Sequence, residues 1–327
     1  MSEIDTATNA TTETAVAATA TTAPTATAPT TPTSVDDVAQ ALASHGYLAD
    51  EGLATAIFLA LALKRPLFLE GDAGVGKTEV AKVLSSWTGG ELLRLQCYEG
   101  INLAQAAYEW DYARQLLHLR AVEATGESAR QAEDEIYDER FLVRRPLLRA
   151  LEPTLGPVPV LLVDEIDRAD DEFEAFLLEI LSEYAVTVPE LGTVRAEQPP
   201  IVVLTSNRTR DVHDALKRRC LYHWVEHPSF EREIEIVALR APQAAGRLAR
   251  QIAAAAAALR ELGLYKPPGV AETIDWASAV AALGKAELDE HVVDVTLGAV
   301  LKYQEDQHRV RAAGLSDIVA AAVLRSG

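Results

Sequence analysis

Apolar residues follow two different rhythms along this chain, and the change of rhythm divides it. From residue 35 to about 229, short continuous apolar runs that end in polar residues alternate with stretches whose apolar positions recur at helical spacing. The runs Pro66–Glu70, Leu92–Cys97, Val158–Val163, Ile201–Ser206 and Leu221–Glu226 predict strands. Between them, Val35–Ala43, Leu53–Leu63, Thr78–Trp87, Leu103–Glu123 and Glu172–Tyr184 predict helices. A strand that is apolar at nearly every position is buried on both faces, so this alternation predicts an α/β fold with a parallel sheet sandwiched by helices. Val186–Ala196 reads differently: two short β-prone runs flank Glu190-Leu191-Gly192, which predicts a hairpin inserted before the next core strand.

From about Glu231 the strand signals stop. Ala and Leu dominate, and Ala253–Ala258, between Ile252 and Leu259, is strongly helix-forming. Lys266-Pro267-Pro268-Gly269 breaks that helix, another starts near Glu272, and a further one is expected over His291–Asp306. The chain therefore divides into an α/β domain over residues 35–229 and a C-terminal all-helical domain over residues 230–327. Residues 1–34, nearly all Thr, Ala and Pro without an aromatic side chain or a Lys or Arg, read as a disordered tail.

Composition narrows the partners. The 327 residues carry a formal charge of −19, from 49 acidic and 30 basic residues. Nucleic-acid binding usually needs a basic surface that displaces counterions, so no nucleic-acid partner is expected. The two cysteines, Cys97 and Cys220, sit in apolar settings and read as buried residues, which leaves no disulfide scaffold and makes a reducing cytoplasm the default. No run of about 18 apolar residues predicts a membrane span, and the N-terminus lacks the basic-then-apolar pattern of a secretory signal.

The candidate chemistry lies at the strand ends. Gly71-Asp72-Ala73-Gly74-Val75-Gly76-Lys77-Thr78 fits G-x-x-x-x-G-K-[ST], follows an apolar strand and opens a helix. Such a loop turns backbone N–H groups onto phosphate oxygens, with the positive end of the helix behind them. Lys77 would reach the β- and γ-phosphates of ATP and pack against nothing in the core, while the Thr78 hydroxyl would ligate Mg²⁺. A second apolar strand ends in Asp164-Glu165. Buried carboxylates are costly unless they face a cation or a reacting water; Asp164 would belong to the Mg²⁺ shell, and Glu165 would orient and deprotonate the attacking water. A third strand ends at Asn207, whose amide suits a water or a γ-phosphate, though Asn also starts many turns. Lys217-Arg218-Arg219 is either a solvated basic turn or a guanidinium offered to the γ-phosphate of a neighbouring subunit.

Taken in order, these motifs resemble AAA+ ATPases, and in detail the MoxR family, with the nearest likeness to CoxD-like ATPases associated with maturation of carbon monoxide dehydrogenase. The likeness rests on residues 71–84 (GDAGVGKTEVAKVL), 93–100 (LRLQCYEG), 108–121 (YEWDYARQLLHLRA), 139–148 (ERFLVRRPLL), 161–181 (LLVDEIDRADDEFEAFLLEIL) and 188–224, and in the helical region on 266–277 (KPPGVAETIDWA) and 296–306 (TLGAVLKYQED). It implies a homo-oligomeric ring, a hexamer, with ATP at subunit interfaces and the helical domain as a lid. By this likeness Arg219, with Arg218 as second choice, is the interface finger, and Tyr47 and Leu48 flank the adenine. Residues 97–112 and the 186–196 hairpin would face the pore or a partner. The resemblance further implies a von Willebrand factor A domain partner and a metalloenzyme client that is remodelled or matured. One departure is that family relatives often carry an arginine near the start of the helix after the Pro-rich break, where this chain has Gly269-Val270-Ala271-Glu272; the lid sensor stays unassigned. The competing reading of the same core is a nucleic-acid motor or loader, which the acidic balance disfavours.

Overall fold

The computed structural model describes residues 32–125 and 135–324. Nearly all of the Thr/Ala/Pro-rich tail, expected to be disordered, lies outside the described residues.

Nine strands are described, five of them in one parallel sheet. These five are β1 (Leu67–Glu70), β2 (Leu92–Gln96), β5 (Val160–Asp164), β8 (Ile201–Ser206) and β9 (Leu221–Trp224), in the spatial order β2-β5-β8-β1-β9. Their side chains alternate between two cores. Phe68, Leu93, Leu95, Leu161, Val163, Val202 and Leu204 point to one face, where α6 (Pro146–Leu151) and α7 (Asp171–Glu183) cover them. Leu67, Leu69, Val160, Leu162 and Val203 point to the other, under α1 (Val35–Ser44), α2 (Glu51–Leu63) and α3 (Lys77–Thr88). The unbroken apolar runs thus serve both layers at once. Cys97 and Cys220 are free and buried, and burial pushes both thiols up to about 12.

Local chemistry sets the helix starts. Ser34 and Asp37 form a reciprocal capping box at α1, and Asp50 and Asp170 cap α2 and α7 through the backbone N–H groups of Leu53 and Phe173. The hairpin forms from β6 (Ala185–Val188) and β7 (Gly192–Arg195).

The long helix expected over Leu103–Glu123 does not form. Short α4 (Leu103–Ala106) is followed by β3 (Tyr108–Trp110) and then α5 (Tyr112–Thr125). β3 pairs antiparallel with β4 (Leu142–Arg144), a partner too far along the sequence for local periodicity to reveal. Trp110 is buried, edge-on to Tyr137 with ring centroids 5.4 Å apart, and Asp111 accepts from the Arg114 N–H to restart the helix. Tertiary pairing overrides local propensity here.

Beyond β9 and α8 (Asp214–Arg219), which precedes it, the chain is helical: α9 (Phe230–Arg240), α10 (Arg247–Glu261), α11 (Val270–Ala282), α12 (Glu290–Val300), α13 (Gln304–Ala313) and α14 (Leu315–Leu324). These share a separate apolar cluster centred on fully buried Trp276, whose indole N–H donates to Thr296 Oγ1 at 2.7 Å. The single helix expected over His291–Asp306 is two, α12 and α13, with an extended Leu301 between them. Asp306 is drawn out of that register to accept the backbone N–H groups of Tyr265 and Lys266 at 2.7 and 3.0 Å. No helix among the described residues is long and apolar enough to cross a membrane.

Candidate functional site

β1 has sheet neighbours on both sides, and the loop after it opens at the carboxyl edge, where ligands of open α/β sheets bind. Gly76 ends the loop at φ +96, a left-handed conformation that admits glycine readily, and α3 starts on the next residue. Over the loop lies a cleft of about 650 Å³ between the sheet edge and the helical region.

The structure brings most of the sequence-derived residues to this cleft. Ala73, Gly74, Val75, Gly76, Lys77, Thr78, Asp164, Glu165, Asn207, Tyr47 and Leu48 all line it. Gly71 and Asp72 do not; their carbonyls instead accept from Lys77 Nζ at 2.7 and 2.6 Å. Lys77 is only 6% exposed, and its ammonium ties the loop back on itself. Burial lowers its pKa, opposed by the charges of Asp167, Asp72, Asp164 and Glu165.

Asp164 is buried and its carboxylate is fully engaged. Oδ1 accepts from Thr78 Oγ1 at 2.9 Å and from Thr205 Oγ1 at 2.6 Å, and Oδ2 accepts from Arg94 Nε at 3.1 Å and Nη2 at 2.6 Å. Glu165 follows at φ +55, an unusual conformation for a non-glycine residue, pinned by its N–H donating to Thr205 Oγ1 at 2.9 Å. Its carboxylate accepts from Gln96 Nε2 at 3.0 Å, Arg168 Nη1 at 3.2 Å and Asn207 Nδ2 at 3.3 Å. The two strand ends thus deliver Glu165 and Asn207 in contact with each other. A serine or threonine hydroxyl and carboxylate oxygens are hard donors of the kind Mg²⁺ takes, so the Thr78–Asp164 pair fits that cation.

The basic triplet is split. Lys217 turns inward, 3.9 Å from the buried Glu70 carboxylate and over the Phe68 ring. Arg218 and Arg219 are exposed at the end of α8, away from the cleft, and neither guanidinium has a hydrogen-bond or ion-pair partner among the described residues. Their backbone carbonyls are held by Arg65, whose Nη2 donates to Arg218 O at 2.7 Å and whose Nε donates to Arg219 O at 3.1 Å.

Sequence reasoning missed the other wall. Arg232, Ile236 and Arg240, spaced four apart on α9, line the same cleft as Tyr47 and Leu48. Arg240 pairs with Glu79 of α3 at 3.0 Å; burial raises the Glu79 carboxyl, but the hydrogen bonds and charges of Lys82 and Arg240 together outweigh it and hold it below the usual range. In the sequence these three positions read only as one helix face, and the packing of the helical region brings them to the cleft. At the start of α11, Gly269 lies against the loop: a Cβ on Gly269 would stand 3.0 Å from both Ala73 O and Gly74 Cα, and Ala271 N–H donates to Gly74 O at 3.3 Å.

This geometry defines a P-loop nucleotide-binding α/β protein. Residues 66–220 match the AAA domain of the dynein-related subfamily, so that stretch of the chain is similar to an AAA-type ATPase domain. No curated protein matches the chain. Among solved structures, the chain is similar to a Cytophaga hutchinsonii protein provisionally described as an ATPase, with a TM-score of 0.45 and 12% identity over 89% of this chain and 93% of that one, a distance at which the likeness carries no functional argument.

Proposed function

We propose that this chain is a MoxR-type AAA+ ATP hydrolase that remodels, matures or activates a client protein, with residues 35–229 binding the nucleotide and 230–327 acting as lid. The observation that carries the reading is the convergence of Lys77, Thr78, Asp164, Glu165 and Asn207 on one cleft. Thr78 and Asp164 would hold the Mg²⁺, which when bound supplies positive charge against the phosphates. The loop N–H groups and Lys77 bind and orient the phosphates, and Lys77 must leave Gly71 O and Asp72 O to do so. Glu165 takes the proton of the attacking water, and Asn207, which touches Glu165, fixes where that water sits. Tyr47 and Leu48 flank the base, and Ile236 lines the same cleft.

In this reading the unpaired guanidiniums of Arg219 and Arg218 complete the site of a neighbouring copy in a ring, a hexamer by family likeness. A von Willebrand factor A domain partner and a metalloenzyme client belong to the same proposal, and the charge of −19 supports a protein client over nucleic acid.

The test is phosphate release by the full chain with Mg²⁺-ATP. Glu165→Gln and Arg219→Ala should each bind ATP and each lose about 100-fold or more in turnover. Mixing the two should restore part of the activity, because some interfaces then pair an intact Glu165 with an intact Arg219. Undiminished turnover in Glu165→Gln, or in Arg219→Ala and the double Arg218/Arg219 variant, would remove the corresponding role. Several-fold stimulation by DNA at low salt would favour the motor reading instead.

A further inference from the structure

β2 carries an arginine inside an apolar run. Leu93 and Leu95 enter the core on one face of the sheet, and the alternation of the strand puts Arg94 and Gln96 together on the other. At the carboxyl edge, Arg94 donates twice to Asp164 Oδ2, and its Nη2 also donates to Gln96 Oε1 at 2.5 Å. Thr78 and Thr205 take Oδ1. The carboxylate therefore accepts four hydrogen bonds, which is about the capacity of its lone pairs. Arg94 is more than half exposed, while Asp164 is buried. One partner of this ion pair is free to swing away into water and the other is not.

We propose that Arg94 is a positioning residue that occupies Oδ2 of Asp164, the oxygen that Thr78 does not take, and competes there with a divalent cation. This rests on the reading above that Asp164 holds the Mg²⁺. The guanidinium keeps a buried carboxylate from standing uncompensated when the site holds no nucleotide. It also makes the site a poor one for a free cation, because binding must first displace two charge-assisted hydrogen bonds. A cation arriving with the triphosphate brings additional ligands that offset this displacement; a cation arriving alone does not. The consequence is an ordered site, in which the metal enters with ATP. Arg94 is held in reach by Gln96, whose other end contacts Glu165, so both side chains of this strand face serve the acidic pair.

The probe is Mn²⁺ bound by the full-length protein, read from the free-ion electron paramagnetic resonance signal and not from turnover. In nucleotide-free protein, Arg94→Gln should tighten Mn²⁺ binding by on the order of 10-fold or more, the worth of losing a charge-assisted contact. Arg94→Lys, which offers one point donor where arginine offers a fork, should lie between Arg94→Gln and wild type. With a non-hydrolysable ATP analogue present, the gap between variants and wild type should shrink. Unchanged or weaker Mn²⁺ binding in nucleotide-free Arg94→Gln would overturn the proposal, since it would make Arg94 a support of the metal site and not a competitor for it. If Arg94→Gln does not fold, Arg94→Lys decides on the same criterion. The underlying reading is checked separately: wild type with the analogue should bind Mn²⁺ and Asp164→Ala with the analogue should not, and loss of that contrast would sink the assignment of Asp164 itself.

Discussion

In the α/β region, buried ionic groups crowd one place. Glu70, Lys77, Asp164 and Asp167 are all nearly inaccessible, and all sit at or just beyond the carboxyl ends of strands or on the loop and helix that face them. In the helical region, the buried carboxylates Glu233 and Asp306 lie inside helix packing, and every oxygen they carry is matched: Glu233 Oε1 and Oε2 by the two terminal nitrogens of Arg260, Asp306 by two backbone N–H groups. The strand-end cluster is less settled. Asp167 Oδ1 has no partner, Lys77 spends its donors on carbonyls of its own loop, and Arg94 is on loan to Asp164 from solvent. Saturated buried charge fixes a fold, whereas charge with spare or exchangeable capacity is arranged for something that arrives. Glu174 is the instructive exception in the α/β region: it sits on α7, away from the cleft, and is clasped by Arg210 and the His213 N–H, as in the helical pattern.

That contrast can be broken by removing one member of each kind. The largest effect on stability should come from Arg260→Ala. It strands Glu233, which is 1% exposed, and takes donors from Pro268 O and Thr273 Oγ1. Removing one partner of a buried pair costs about 3–5 kcal/mol. Urea unfolding followed by circular dichroism should show that loss, and a variant as stable as wild type would mean the knot contributes little.

Lys77→Ala should act the other way round. Its ammonium is buried, but it bonds only to the loop, so the fold should lose about 1.5–3 kcal/mol, the worth of a hydrogen bond to a charged group. ATP affinity should fall by on the order of 100-fold, measured by calorimetric titration. Wild-type-like affinity would refute the role of Lys77, and a collapse of the fold would show that the strand-end cluster is structural after all.

The phosphate loop, the acidic pair and all five sheet strands could be read from the sequence because each is local: a strand of four to six residues ends where the polar side chains begin, and a G-x-x-x-x-G-K-[ST] loop carries its own geometry. Trp110 and Asp306 show where that stops. Both lie in stretches with helical spacing; Trp110 is drawn into a strand by Leu142–Arg144, and the helix expected through Asp306 breaks at extended Leu301, so that Asp306, in the new helix, accepts the backbone N–H groups of Tyr265 and Lys266. The second wall of the cleft was hidden for a similar reason. Arg232, Ile236 and Arg240 read as an ordinary solvated helix face until the helical region is packed over the sheet edge, and only that packing makes them line the cleft with Tyr47 and Leu48.

The smallest expected effect tests the seam where the two regions touch. Gly269 precedes α11 with φ −83 and ψ −176, a conformation alanine adopts without strain, so Gly269→Ala changes contacts alone. The added methyl would meet Ala73 O and Gly74 Cα at 3.0 Å and Glu272 Oε2 at 2.9 Å. The carboxylate is a flexible side chain and can give way. The loop backbone cannot move without disturbing the cradle, so the helical region should shift outward by a few tenths of an ångström. Since neither apolar cluster includes this contact, stability should change by less than about 1 kcal/mol, below the usual 1–3 kcal/mol for overpacking a core. Nucleotide binding should feel it more, because the shift opens the cleft between α9 and the Tyr47 side: a several-fold loss of ATP affinity with nearly unchanged unfolding is the expected signature. Equal losses in both would place Gly269 inside one continuous core, and the distinction between a saturated helical region and an exchangeable strand edge would then stop short of the seam.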